Sequence, residues 1–277
     1  MNSDQLFNQI REKESYLCIG LDTDINRIPR FILDHEYPVY EFNKRIIDAT
    51  ADLVIAYKPN LAFYESLGTA GWMSLEMTVS YLRKEYPDIF IIADAKRGDI
   101  GNTSKMYATA FFHHIDFDAI TIAPYMGKDS VLPFLQYPEK WVILLGLTSN
   151  TGAEDFQFRK LSRGKTHLFE EVIKTATGWG TKDNLMFVIG ATQPEWFRKI
   201  RKLAPDNFFL VPGVGAQGGN LKEISRNGMN KECGLIVNSS RSIIYADVTE
   251  KFDKMARDKA LEIKEEMSFY LKKQKII

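Results

Sequence analysis

Residues 94–100 read Asp94-Ala95-Lys96-Arg97-Gly98-Asp99-Ile100, directly after the apolar run Ile89-Phe90-Ile91-Ile92-Ala93. An apolar run bounded by charge reads as a buried strand. Side chains alternate along a strand, so Asp94 and Lys96 share a face at or just past its C-terminal end. Asp99 follows in the turn. A lysine held between carboxylates stays an ammonium, because nearby negative charge favours the protonated form. An imine-forming lysine needs the neutral amine. Lys96 therefore reads as a general acid rather than a Schiff-base former.

Other polar residues end other apolar runs. Asp22 follows the run 16–21, where a carboxylate can accept hydrogen bonds from sugar hydroxyls or serve as a turn or cap residue. Lys58 lies in a stretch that otherwise reads as core, so it either snorkels to solvent or meets a carboxylate. Thr148-Ser149-Asn150 offer small polar groups suited to a heterocycle's carbonyl and ring N–H, or to an ordinary turn. Late in the chain, Pro212-Gly213-Val214-Gly215-Ala216-Gln217-Gly218-Gly219 brings glycines close together. Such a loop lets backbone N–H groups approach an anion, and a following helix N-terminus adds a favourable dipole. Asn238-Ser239-Ser240-Arg241 ends the last apolar run, and Arg241 supplies a planar fork for phosphate.

These residues need elements that bring them to one place. Short apolar runs at 16–21, 53–57, 89–93, 118–122, 141–147, 185–190, 207–211 and 233–238 read as eight strands. Helical patterns fill the gaps, for example at 41–51, 71–86, 101–113, 167–177, 194–203 and 249–273. Most strand runs are continuously apolar, as strands buried on both faces should be. Strand–helix alternation argues for a parallel sheet, and eight units in 277 residues favour a closed (β/α)8 barrel over an open sheet. The expected organisation is α/β, one barrel domain over 1–277, with a terminal helix at about 249–273 packed on the barrel. The active face of such a barrel is its C-terminal rim, and phosphate commonly binds the loops after strands seven and eight.

Composition excludes several classes. Formal net charge is zero, so there is no overall basic footprint for nucleic acid or an acidic membrane. No stretch approaches the roughly 18 apolar residues of a membrane span, and the polar start Met1-Asn2-Ser3-Asp4-Gln5 has no apolar signal core, so a cytoplasmic protein is expected. The two cysteines, Cys18 and Cys233, lie in strand-like runs and read as buried hydrophobes rather than a disulfide or metal pair. The histidines form no HxH or HExxH pattern, and no metal is expected. The irregular stretch 148–166 is long for a compact domain and reads as a lid or a surface insertion.

Taken together, LDTD at 21–24, the Lys58 strand end, DAKRGDI at 94–100, TSNTGAEDF at 148–156, PGVGAQGG at 212–219 and NSSRSI at 238–243 resemble the orotidine 5′-phosphate decarboxylase family, in its longer bacterial branch. The resemblance covers essentially the whole chain. It implies a cofactor-independent carboxy-lyase that converts orotidine 5′-phosphate (OMP) to UMP in pyrimidine biosynthesis. It also implies a homodimer with sites at the subunit interface. By similarity, Lys96 protonates C6 and Asp94 lies by the scissile carboxylate. Asp99, with Ile100, comes from the partner chain and completes an alternating Lys58-Asp94-Lys96-Asp99 array. Asp22 and Lys58 hold the ribose hydroxyls and Ser149 reads the pyrimidine. Gln217 and Arg241, with amides near Gly218 and Gly219, hold the 5′-phosphate. Closure of 148–166 or of the Gln217 loop would couple phosphate binding to chemistry. The segment Phe156–Lys160 follows no short family pattern, and Thr151 stands where relatives carry proline.

Two alternatives share parts of this pattern. Sugar-phosphate lyases of the same barrel type, such as 3-hexulose-6-phosphate synthase, also carry DxKxxD but use Mg2+ and a glutamate where this chain has Lys58. A non-catalytic phosphate-binding barrel would keep the glycine loop and Arg241 without needing the charged array.

Overall fold

The structure, a computed structural model, describes residues 1–162, 166–192, 194–214 and 218–277. Eight parallel strands close into a barrel in sequence order: β1 Leu17–Leu21, β2 Ala56–Pro59, β3 Phe90–Arg97, β4 Ala119–Ile122, β5 Trp141–Leu147, β6 Leu185–Ile189, β7 Phe209–Pro212 and β8 Leu235–Ser239. β8 returns to β1, pairing Cys18 with Asn238, so no edge remains. The expected (β/α)8 architecture is present. Strand residues such as Ile19, Ile91, Ile143, Phe187 and Val237 are fully buried, as strands covered by helices on one side and a packed barrel interior on the other must be.

Two strands differ from the sequence reading in ways that matter to the site. β2 starts at Ala56, not at 53, because a turn after the helix Pro38–Thr50 takes up Leu53 although it is apolar and buried. Lys58 is therefore inside the strand, paired with Gly20 of β1. β3 runs on to Arg97 instead of stopping at 93. Its register against β4 shifts between Ala93 and Arg97, and Lys96 has φ of 47°. A β-bulge of this kind re-aims a side chain at the end of a strand.

The helices also depart in detail. The polar N-terminus forms a helix, Ser3–Lys13, capped by Asn2 in a reciprocal capping box with Gln5. The predicted 101–113 helix is α-helical over Gly101–Ala108 and continues as a π-helical turn over Thr109–His114. The stretch 148–166 contains a short helix, Ala153–Phe156. The terminal helix, Phe252–Lys273, packs on the helix Pro38–Thr50 and buries Phe252, Ala256, Ala260, Met267 and Leu271. No described helix is long and apolar enough to cross a membrane.

Candidate active site

A cavity of about 530 Å³ opens at the C-terminal rim of the barrel. Asp22, Lys58, Asp94, Lys96, Ser149 and Arg241 all line it. Asp22 directly follows β1, Lys58 lies on β2 and Asp94 and Lys96 on β3, while Gly213 follows β7 and Arg241 follows β8.

The backbone carrying Asp22 is held from two sides. Tyr245 donates its hydroxyl to the Asp22 carbonyl at 2.9 Å and accepts the Asp24 N–H at 2.6 Å. Tyr64 donates to the Leu21 carbonyl at 3.0 Å and accepts from Asn43, which also accepts from Thr23. This buried polar network satisfies its own members, and such networks fix geometry. Asp22 Oδ1 itself is buried with no hydrogen-bond partner.

Lys58 lies between two carboxylates, with Nζ 2.9 Å from Asp94 Oδ2 and 3.7 Å from Asp22 Oδ1. Lys96 Nζ meets the other Asp94 oxygen at 2.5 Å. Burial on its own would raise the Asp94 carboxyl, but the ammonium groups of Lys58 and Lys96 override it and hold Asp94 far below the usual carboxylate range. Burial likewise favours neutral Lys58, yet Asp94 and Asp22 outweigh it and push Lys58 above the ordinary ammonium value. Asp94 thus stays ionised and Lys58 stays charged across the neutral range. The Lys96 side chain is about half exposed (51%), against 4% for Lys58, and so faces the open cavity.

Arg97 points the other way. It pairs with Glu65, donates to the Ala95 carbonyl and lies over the Tyr107 and Phe111 rings. Alternation thus sends Lys96 into the cavity and Arg97 into the helical layer.

Ser149 follows β5 and packs against Gly190. A Cβ on Gly190 would meet the Ser149 backbone nitrogen at 2.7 Å. The same turn is tied by Gln157, whose Oε1 accepts the Thr148 N–H and whose Nε2 donates to the Thr148 hydroxyl, both at 2.8 Å. Thr148 in turn donates to Asn150 at 2.6 Å.

On the far wall, Gly213, Val214, Ser240 and Arg241 line the cavity. Gln217 lies outside the described residues. Gly218 has φ of 83°, a backbone conformation that glycine adopts without strain. The Gly219 N–H donates to the Gly213 carbonyl at 3.1 Å; neither Gly218 nor Gly219 lines the cavity. The helix that follows, Leu221–Gly228, is capped by the Asn220 side chain. Arg241 opens the short helix Arg241–Ile244 directly after β8.

Asp99 does not line its own chain's cavity. It is half-buried in the turn after β3, where its Oδ1 accepts the Ile100 N–H at 2.8 Å. Ile100 is 56% exposed, and Met106, Tyr125 and Met126, in the segments that follow β3 and β4, are also exposed large hydrophobic side chains.

Sequence reasoning assigned no site role to six lining residues: Asn60, Leu145, Gln157, Val188, Leu210 and Asn238. Asn238 is buried with an unpartnered Oδ1, and its place at a strand's polar end was a usable signal. Gln157 sits in an irregular stretch and carried none. Among the described residues, no group of three or more His, Cys, Asp or Glu is placed to hold a metal ion.

Comparison with known proteins matches residues 15–252 to the family described as orotidine 5′-phosphate decarboxylase / HUMPS. The chain is 61% identical over 277 residues to an orotidine 5′-phosphate decarboxylase of Parabacteroides distasonis, covering 100% of this chain and 99% of that protein. Among solved structures, it is similar to Leishmania donovani OMP decarboxylase, at 35% identity and a TM-score of 0.80, over 97% of this chain and 99% of that one. It is also similar to Leishmania donovani UMP synthase, at 37% identity and a TM-score of 0.81, covering 94% of this chain and 56% of that longer one.

Proposed function

From the premise that the chain belongs to the orotidine 5′-phosphate decarboxylase / HUMPS family, we propose that it decarboxylates OMP to UMP in pyrimidine biosynthesis, with Lys96 as the proton donor. The observation that carries this reading is the Asp22–Lys58–Asp94–Lys96 array at the barrel rim, with Lys58 buried and Lys96 facing the cavity.

Breaking the bond between C6 and the carboxylate leaves an electron pair on C6 of the pyrimidine. That carbanion has no conjugated sink within the ring, so fixed charge must stabilise it. The Lys96 ammonium faces the cavity and supplies that charge. It then transfers a proton from Nζ to C6, and solvent reprotonates the amine. Asp94, held ionised, sits beside the substrate carboxylate. It disfavours that ground state more than the transition state in which charge moves to C6. Lys58 and the unpartnered Asp22 oxygen hold the ribose hydroxyls. Ser149 reads the pyrimidine, and Arg241 with Gln217 and the amides near Gly218 and Gly219 holds the phosphate.

Lys58 also separates this reading from the metal-dependent lyases. Those lyases carry a glutamate where this chain has Lys58, and here a fixed ammonium stands at that position between the Asp22 and Asp94 carboxylates. The reaction proposed here calls for no cofactor.

The working unit is a homodimer in the cytoplasm, in which Asp99 and Ile100 of each chain complete the other's site. The exposed Ile100, Met106, Tyr125 and Met126 supply apolar surface for that contact. No nucleic acid or membrane partner is called for.

The test is conversion of OMP to UMP, followed by its ultraviolet change in buffer without added metal. Turnover supports the reading. A folded protein that binds UMP yet leaves OMP unchanged contradicts it.

A further inference from the structure

Thr121 lies at the third residue of β4, almost wholly buried (1% exposed), and nothing in the chemistry above uses it. Its hydroxyl makes two bonds at once. It accepts the Lys96 backbone N–H at 2.8 Å and donates to Asp94 Oδ1 at 3.1 Å. That same carboxylate oxygen accepts the Lys96 ammonium. One hydroxyl thus ties the main chain of the proton donor to the side chain of its counter-ion.

The tie falls where the backbone is least comfortable. Lys96 has φ of 47° within the register shift of β3 against β4. Left-handed conformation is costly for a non-glycine residue, and it persists only where the surroundings enforce it. The main-chain bond to Thr121 is one such constraint, because a shifted ladder cannot offer Lys96 its ordinary strand partner.

We propose that Thr121 is a positioning residue for the decarboxylation, setting the bulge that aims Lys96 and the rotamer of Asp94. This rests on the function proposed above and extends it to a residue outside the cavity lining. Thr121 touches no substrate atom. Its effect is carried by the placement of Lys96 Nζ relative to C6, so its loss should appear in the chemical step and not in binding.

Valine and serine separate this role from packing. Thr121→Val keeps the shape and the β-branch but removes the hydroxyl. Thr121→Ser keeps the hydroxyl and removes a methyl. Steady-state kinetics on OMP should show kcat lowered on the order of 10- to 100-fold in Thr121→Val, with KM changed by less than about twofold, since misplacing a reacting group by a fraction of an ångström has effects of this size. Thr121→Ser should stay within about threefold of the parent. Hydrogen exchange at the Lys96 amide should speed up in the valine variant and not in the serine variant.

A valine variant with parental kcat overturns the proposal. So does a serine variant as impaired as the valine one, which would assign the effect to packing. So does a valine effect confined to KM. A parent inactive on OMP would sink this inference together with the function it rests on, a result distinct from an active parent with an indifferent Thr121→Val.

Discussion

Lys58 and Asp94, on adjacent strands, form a 2.9 Å ion pair whose side chains are only 4% and 12% exposed. Burying two charges is costly unless each is compensated, so each residue depends on the other. Removing the cation by Lys58→Met should lower unfolding stability by roughly 3–5 kcal/mol, because two buried carboxylates lose their shared partner. Urea denaturation of parent and variant measures this.

The pH dependence of that pair has a definite sign. Asp94 is depressed on folding, so its contribution is fully present above its unfolded value of about 4 and fades as pH falls below it. Lys58 is raised on folding, so its contribution is fully present below its unfolded value of about 10.4 and fades as pH climbs beyond. The stability gap between parent and Asp94→Asn should therefore be flat from pH 5 to 9 and shrink below about pH 4. Denaturation midpoints across that range provide the check. A gap that shrinks near pH 6 would contradict the assignment.

Gly190 and Ser149 test how closely the turn after β5, proposed to read the pyrimidine, is fitted to the barrel. A methyl on Gly190 would sit 2.7 Å from the Ser149 nitrogen and 2.8 Å from its Cα, and backbone must give way. Gly190→Ala should cost about 1–3 kcal/mol of stability and weaken UMP binding by about tenfold, the size of one net hydrogen bond. Calorimetric titration with UMP would show it. Unchanged affinity would mean that the turn moves without consequence for the ligand.

The two thiols should be silent in the native protein. Burial pushes both Cys18 and Cys233 up to about 12, and the thiolate is the reactive form. At pH 8 a colorimetric thiol reagent should detect none in the folded chain and both after denaturation. Rapid labelling of one native thiol would show that the barrel opens locally.

Asp99 provides the test of whether the site is shared between two chains. Lys96→Ala and Asp99→Ala homodimers should each be nearly inactive. Mixed under conditions that exchange subunits, they should regain up to about a quarter of parental activity. Half of the dimers formed at random are then mixed, and each of those holds one site with both residues intact. No recovery, in dimers shown to exchange, would place Asp99 within its own chain's site.

Much of the arrangement at the barrel rim is legible in the sequence. The barrel follows from eight buried apolar runs separated by amphipathic ones, and Asp22, Lys58, Asp94, Lys96, Ser149 and Arg241 all stand at polar ends of such runs. What escaped is what sequence does not encode locally. Leu53 is apolar in a turn, so β2 read three residues early. The bulge at Lys96 puts a lysine at positive φ, for which no residue preference exists to give notice. Thr121 reads as an ordinary β-branched strand former, and its two hydrogen bonds depend on how β4 sits beside β3. Gln157 reaches Thr148 only because the chain turns back through Ala153–Phe156.

The central claim is that the Lys96 ammonium both stabilises charge at C6 and delivers the proton. Turnover of OMP by Lys96→Ala beside the parent tests it most directly, with UMP affinity measured on the same samples. The account predicts loss of turnover by about 10³-fold or more, with UMP still bound. Turnover within tenfold of the parent in a folded, UMP-binding Lys96→Ala protein would contradict it.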